Sequence, residues 1–389
     1  MKITIVNGFF LPVPPLSGGS TEKSWFHLSR EFAARGHEVV SYSRQWRQLP
    51  PEETIEGVRH RRLPGYDHRR ALWQNLLCDL LWSWRIYRQL PAADIIVCNA
   101  VLLPMWLGRR RPAAGRVVVM AGRMPKGQYR RYSALARVFA PSSFVRDRVL
   151  EENPSLAPVT KVTGYPIAWS QLAAAQPVPT FLPARSSPDE VVLGFAGRLH
   201  EEKGLLLLTR ALGQLAKRPD LPPWRLILCG PSDVERGGSG AAFRGRLVSE
   251  FAASGLSNRI HLLDPQFNDR LLAAVYQHMD VFCYPSLAEQ GETFGVAVAE
   301  AMAAGAVPVV SRLSCFQDFV RPGENGLDFD HRAPDAADSL AAALESLVRD
   351  AALRRRLATQ ARRDSERYDF PRYAEMLLAD FASLTRSSS

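Results

Sequence analysis

The stretch from Val281 to Ser311 narrows the fold more than any other part of the chain. Val281-Phe282-Cys283-Tyr284 is a short apolar run stopped by Pro285, the form of a strand buried on both faces. A loop with Glu289, Gly291 and Glu292 follows. The Ala-rich run from Phe294 to Ala304 predicts a helix, with Thr293 at the N-cap and Gly305 at the C′ position. Ala306 to Ser311 then predicts a second buried strand. Strand, helix and strand joined by tight turns predict a parallel α/β sheet, and such sheets bind ligands at the C-terminal edge of their strands.

Two carboxylates bracket the start of that helix, Glu292 and Glu300. If the residues between them were all helical, roughly 12 Å would separate the two backbones along the axis. A glycosidase acid/base pair needs carboxyl groups about 5–9.5 Å apart. The spacing favours carboxylates that serve opposite ends of one long ligand, with a helix N-terminus between them as an anion site. Sugar, diphosphate and ribose fit that series, and so does an ordinary helix with two solvated glutamates. Spacing alone leaves both readings standing.

Length and composition bound the answer. The 389 residues are enough for two domains, and 46% hydrophobic with 23% charged content suits a globular chain. No apolar run approaches the roughly 20 residues of a membrane helix. Met1-Lys2-Ile3-Thr4-Ile5-Val6 enters a strand directly, which predicts no signal peptide and a cytoplasmic location. The five cysteines form no CxxC pair, and no His/Cys cluster has metal-ligand spacing, so neither metal nor cofactor is expected. Charge is uneven: residues 1–168 hold 25 Lys+Arg against 12 Asp+Glu, out of 49 and 39 in the whole chain. A basic first half suits an anionic partner, such as a membrane surface or an acidic glycan, and equally suits solubility alone. No nucleic-acid motif accompanies it.

Along the chain, Lys2 to Asn7 predicts a strand, followed by a Pro/Gly-rich loop that ends in Gly18-Gly19. A helix from about Thr21 to Arg35 and a strand from His37 to Tyr42 complete a βαβ opening without GxGxxG. Residues 57–90 hold the basic groups Arg59-His60-Arg61-Arg62 and Arg69-Arg70. After them comes a long helix with Leu72, Trp73, Leu76, Leu77, Leu80, Leu81 and Trp84 on one face and Trp82, Arg85 and Arg88 on its flank. The apolar face is expected to be core, while the arginine clusters are a candidate membrane or acceptor surface. Pro177, Pro179, Pro183 and Pro188 mark a linker at residues 169–188. The expected domains are 1–168, on the acceptor side, and 189–370, on the nucleotide-sugar side, with a C-terminal helix and tail over 371–389. Ser387 to Ser389 should fray.

Gly197-Arg198 with Lys203-Gly204 stands about ninety residues before Glu292-Thr293-Phe294-Gly295 and Glu300-Ala301-Met302-Ala303. With Gly18-Gly19, Gly36-His37-Glu38-Val39 and Tyr284-Pro285-Ser286 in this order, the chain resembles glycosyltransferase family 4, the retaining group 1 transferases of GT-B fold. The resemblance covers nearly the whole chain. It implies two Rossmann-like domains facing each other across a cleft, with a C-terminal helix crossing back to the first. It implies a hexosyltransferase that retains configuration, needs no metal and takes a UDP- or GDP-sugar. Arg198 and Lys203 match the diphosphate-binding pair, where fixed cations stabilise a leaving diphosphate. Glu292 matches the carboxylate that meets the donor sugar, and Glu300 the one that binds ribose. Thr293, Phe294, Gly295 and Val296 match backbone donors to phosphate and sugar, and Gly18-Gly19 matches a phosphate-closing loop. Where many members have a His after the strand Val117 to Met120, this chain has Ala121-Gly122-Arg123, which makes Arg123 an acceptor-side candidate.

The expected acceptor is a glycan or lipid-linked molecule in surface polysaccharide or glycolipid synthesis, with the enzyme in the cytoplasm or at the inner face of a membrane. A non-catalytic nucleotide-sugar-binding homologue and a nucleotide-sugar epimerase are the alternatives.

Overall fold

The computed structural model describes residues 1–16, 19–69 and 71–386. Gly18, Arg70 and the tail from Ser387 to Ser389 lie outside them. The chain forms two compact units: Met1–Pro166 with Phe370–Ser389, and Ile167–Asp369.

The first unit runs β1 (Lys2–Val6), α1 (Ser20–Ala34), β2 (Glu38–Arg44), β3 (Glu52–Ile55), β4 (Val58–Leu63) and α2 (Leu72–Gln89). It continues through β5 (Ile95–Cys98), α3 (Leu103–Arg110), β6 (Arg116–Met120), β7 (Arg137–Ala140), α4 (Ser143–Glu152) and β8 (Thr160–Val162). The sheet order is β3-β4-β2-β1-β5-β6-β7-β8, parallel except for the β3–β4 hairpin. Ile5, Ile96, Val97 and Val118 on its central strands are wholly buried, which accounts for their continuous apolar runs.

α2 corrects the reading of its faces. Trp82 and Ile86 are wholly buried, and the Trp82 indole donates to the Asn7 carbonyl at 3.1 Å. Leu72, Trp73, Leu76, Leu77, Leu80, Leu81 and Trp84 are instead exposed, Leu72 and Trp73 by 64% and 66%. Both sides of this helix are apolar, so the 3.6-residue period marks two stripes. The face with fewer leucines carries the indole that reaches a backbone acceptor. The basic entry differs too. Arg59 and Arg61 pair with Glu52 on β3, and Arg62 is buried, donating to the Val13 and Pro50 carbonyls and pairing with Glu53. These three arginines hold a hairpin together, with Arg62 buried and Arg59 still half exposed.

The second unit runs α5 (Trp169–Ala173), β9 (Val191–Ala196), α6 (Leu205–Leu215), β10 (Trp224–Cys229), α7 (Gly240–Ala253) and β11 (Ile260–Leu263). It continues through α8 (Asp269–Gln277), β12 (Val281–Tyr284), α9 (Val296–Ala304), β13 (Val307–Ser311), β14 (Leu327–Phe329), α10 (Ala336–Arg349) and α11 (Ala351–Ser365). Its six strands are all parallel, in the order β11-β10-β9-β12-β13-β14. The Pro-rich stretch before β9 opens with α5, which packs on α8 and α9.

α12 (Phe370–Arg386) returns to the first unit. It packs on α1, sets Phe381 against Phe32 and Phe139, and pairs Asp380 with Arg137 at 2.8 Å and with Lys161.

Candidate functional site

Each sheet has one place where chain order reverses, between β1 and β5 in the first unit and between β9 and β12 in the second. The loops leaving neighbouring strands there diverge to opposite faces and open a crevice at the carboxyl edge.

In the second unit, the β9–β12 pairing explains how motifs ninety residues apart meet. β9 is followed at once by Gly197 and Arg198, and β12 by Pro285 and Ser286. The two loops are then bonded together. Leu287 N–H donates to the Glu202 carbonyl at 2.7 Å, and the Ser311 hydroxyl holds the Ser286 carbonyl at 2.6 Å. Gly204 has φ 67°, and a Cβ there would collide with the Pro285 carbonyl, so the approach requires glycine.

This brings Lys203 and Glu292 into a buried ion pair, their exposures only 6% and 8%. The Glu292 carboxylate also accepts from the Tyr284 and Ser286 hydroxyls, both at 3.1 Å. The Lys203 ammonium lies 5.2 Å from the Tyr284 ring centre, a cation–π distance. Burial and the adjacent Glu292 charge push the Tyr284 phenol well above its ordinary range, so it remains a donor. Arg198 joins through Glu202: its guanidinium donates to Glu202 Oε1 at 2.8 Å and to the Gly237 carbonyl at 2.8 Å. Glu202 Oε1 in turn stands 3.8 Å from Lys203 Nζ. Two cations and two carboxylates therefore alternate along the carboxyl edge.

Glu292 precedes a helix that starts later than the sequence suggests. α9 begins at Val296, and its N-cap is Gly295 at φ 92°, not Thr293. A Cβ at Gly295 would run into the Phe316 ring, so the left-handed cap is fixed by sterics. With residues 292–295 outside the helix, the 12 Å estimate loses its basis. The Phe294 side chain turns into the core, 4.6 Å from the Phe319 ring and 5.1 Å from Tyr368, which leaves only its backbone for ligand contact. The expected C′ glycine, Gly305, is in place at φ 96°. Glu300 lies on α9 apart from the ion pair and accepts from Tyr276 at 3.0 Å. Burial and Glu300 together raise the Tyr276 phenol well above its ordinary range. Glu202, Tyr276, Tyr284 and Ser286 are partners that no residue type or spacing predicts. The Tyr284-Pro285-Ser286 motif carries two of them, whose hydroxyls both donate to Glu292.

At the β1–β5 reversal of the first unit, Gly8, Asn99, Met120, Glu22, Asp79 and Arg123 line a cavity. Gly19 caps α1 with φ 98°. The Arg123 guanidinium stands 5.3 Å from the Phe10 ring centre. Glu22 is 97% buried; burial raises its carboxyl, opposed by its own backbone N–H and by Arg123. Asp79, also raised by burial, accepts from Leu102 N–H at 2.8 Å and Val101 N–H at 3.2 Å. No sequence motif announces this cluster.

Residues 183–364 match the model of the glycosyl transferases group 1, and residues 18–160 match that of glycosyltransferase family 4. This chain belongs to the group 1 glycosyltransferases. Among curated proteins, the chain is 34% identical over 200 residues to a D-inositol 3-phosphate glycosyltransferase of Rhodococcus opacus, which covers 51% of this chain and 42% of that protein. It is 34% identical over 199 residues to a phosphatidyl-myo-inositol mannosyltransferase of Mycobacterium leprae, covering 50% and 47%. The match thus spans less than half the length of these relatives. Among solved structures, sucrose-phosphate synthase of Thermosynechococcus elongatus aligns with TM-score 0.77 at 22% identity over 99% of both chains. Anabaena HepE in complex with UDP and glucose aligns with TM-score 0.69 at 17% identity over 98% and 100%. These likenesses establish the GT-B fold of the chain, two parallel-sheet α/β domains.

Proposed function

We propose that this glycosyltransferase moves a hexose from a UDP- or GDP-sugar to a glycan or lipid-linked acceptor with retention of configuration and without a metal. The observation that carries the reading is the buried Lys203–Glu292 pair, with Arg198 linked to it through Glu202, at the carboxyl edge of the second sheet. Breaking the bond to the sugar places charge on the departing diphosphate. Lys203 and Arg198 are cations already oriented by their carboxylate partners, so little reorganisation is needed when that charge develops. Glu292 is fixed by two hydroxyls and an ammonium, and its role is to set the Lys203 position and meet the sugar hydroxyls. The N–H groups at the start of α9 add an anion-binding end. Glu300, held by Tyr276, is the ribose acceptor.

The names of the relatives support the acceptor class. Two act on an inositol phosphate and on a phosphatidylinositol, and HepE was captured with UDP and glucose. A thermal-shift panel of UDP-, GDP-, ADP- and dTDP-sugars tests the donor. A ligand at 100 times its Kd stabilises the folded state by about 2.7 kcal/mol. One UDP- or GDP-sugar is expected to raise the melting temperature and to be slowly hydrolysed without acceptor. The absence of any shift would overturn the donor reading. A shift with no turnover under any acceptor would identify a binding homologue, and an isomerised sugar an epimerase.

A further inference from the structure

We propose that α2 lays its Leu72–Trp84 face into the interfacial zone of a bilayer that bears anionic lipid. Three observations carry this. First, the exposed apolar face runs continuously over three turns, and Trp84 is half exposed. Globular monomers keep contiguous apolar patches small, and a patch of this length marks an interaction surface. The helix is not a loose segment: Trp82 and Ile86 are seated in the core beneath it, so the exposed leucines are held on a rigid scaffold.

Second, the charges that accompany the face are basic. Arg88, exposed at the C-terminal end of α2, stacks its guanidinium 4.9 Å from the Trp84 ring centre. Arg85 stands 5.2 Å from the Tyr66 ring centre and donates to the Pro64 carbonyl. Arg111 ties the following segment to α2 by donating to the Tyr87 carbonyl at 2.7 Å. Cations backed by aromatic rings beside an apolar stripe match the boundary where lipid headgroups meet acyl chains.

Third, the sole carboxylate of α2 points away from the face. Asp79 is 3% exposed and spends its oxygens on the N–H groups of Val101 and Leu102. Nothing acidic on this helix would repel an anionic surface. The same charge distribution argues against a second copy of the chain as the occupant. Two such faces packed together would bring basic helix ends and two net-basic halves into apposition, whereas a bilayer containing anionic lipid neutralises them. The proposal does not depend on the transferase reading, because its test reads partitioning and not turnover.

The test is flotation of the purified full-length chain with phosphatidylcholine vesicles, with and without phosphatidylglycerol. The chain is expected to float with the anionic vesicles, less so at high salt. Leu76→Glu with Leu80→Glu is expected to lower partitioning more than about tenfold. Arg88→Glu is expected to lower it about fivefold on anionic vesicles only. All three positions are exposed, and an unchanged thermal midpoint checks that the variants fold. No flotation with anionic vesicles, or flotation indifferent to the Leu76/Leu80 double variant, would overturn the proposal. So would a concentration-dependent dimer in sedimentation that the double variant abolishes, since the face would then belong to a second copy.

Discussion

Each unit buries a glutamate where its sheet reverses order, and the two are kept in opposite ways. Glu292 is met by an ammonium and two hydroxyls, so its charge is compensated inside the protein. Glu22 is more deeply buried, and its environment raises the carboxyl. A compensated carboxylate holds its neighbours in fixed positions, as a site that receives a diphosphate requires. A desolvated one costs stability when charged. The same architectural position thus holds an ion-paired carboxylate in one unit and a carboxyl raised by burial in the other.

Lys203→Ala should have the largest effect, because it removes the compensation that separates the two glutamates. Donor hydrolysis or transfer should fall about 10²–10³-fold. Glu292 would be left buried and unpaired, at a cost of about 3–5 kcal/mol in denaturant unfolding. In the first unit, Trp82→Ala should cost about 3–5 kcal/mol, since it empties the core site and frees the Asn7 carbonyl at the end of β1. Leu80→Ala on the same helix should stay within about 0.5 kcal/mol. Equal costs for the two would mean the faces of α2 are assigned wrongly. Gly295→Ala should destabilise the second unit by about 1–3 kcal/mol through its left-handed cap and the Phe316 ring, with donor affinity falling alongside.

Glu22→Gln gives the smallest effect and the sharpest sign. A carboxyl raised in the folded state binds more protons folded than unfolded. Its contribution to stability is therefore fully present below the ordinary glutamate range and is lost as pH rises through the raised value. Glu22→Gln should flatten that decline and raise the melting temperature at neutral pH. A decline that keeps its full slope in the variant would show that Glu22 is compensated after all.

The same contrast explains what could be read in the sequence. The second unit advertises its site because each part is local: a strand stopped by proline, a Gly-capped helix and a Lys-Gly turn. Two short motifs then meet because their strands are neighbours. The first unit hides its own features in polar burial. β4 alternates as a strand should, but its inward residues after Val58 are His60 and Arg62. Burial, aided by Arg62, lowers the His60 pKa to about 4, so the imidazole lies neutral inside a segment that reads as a basic surface run. α2 misleads in the other direction, since its richest apolar stripe is the one left outside. Thr293 is an ordinary cap residue by type, yet Gly295 takes the left-handed cap conformation and starts α9 two residues later.

α12 has a consequence for the order in which the molecule can be made. The chain passes from the first unit to the second after Pro166 and returns at Phe370. During synthesis the second unit is complete before the first. Until Tyr373, Asp380 and Phe381 emerge, Phe32 and Phe139 lack their aromatic partner, Arg137 its carboxylate and the Gly164 carbonyl its phenol. The first unit is thus sealed only after the whole second unit has been made, and it stays open to chaperones until α12 arrives.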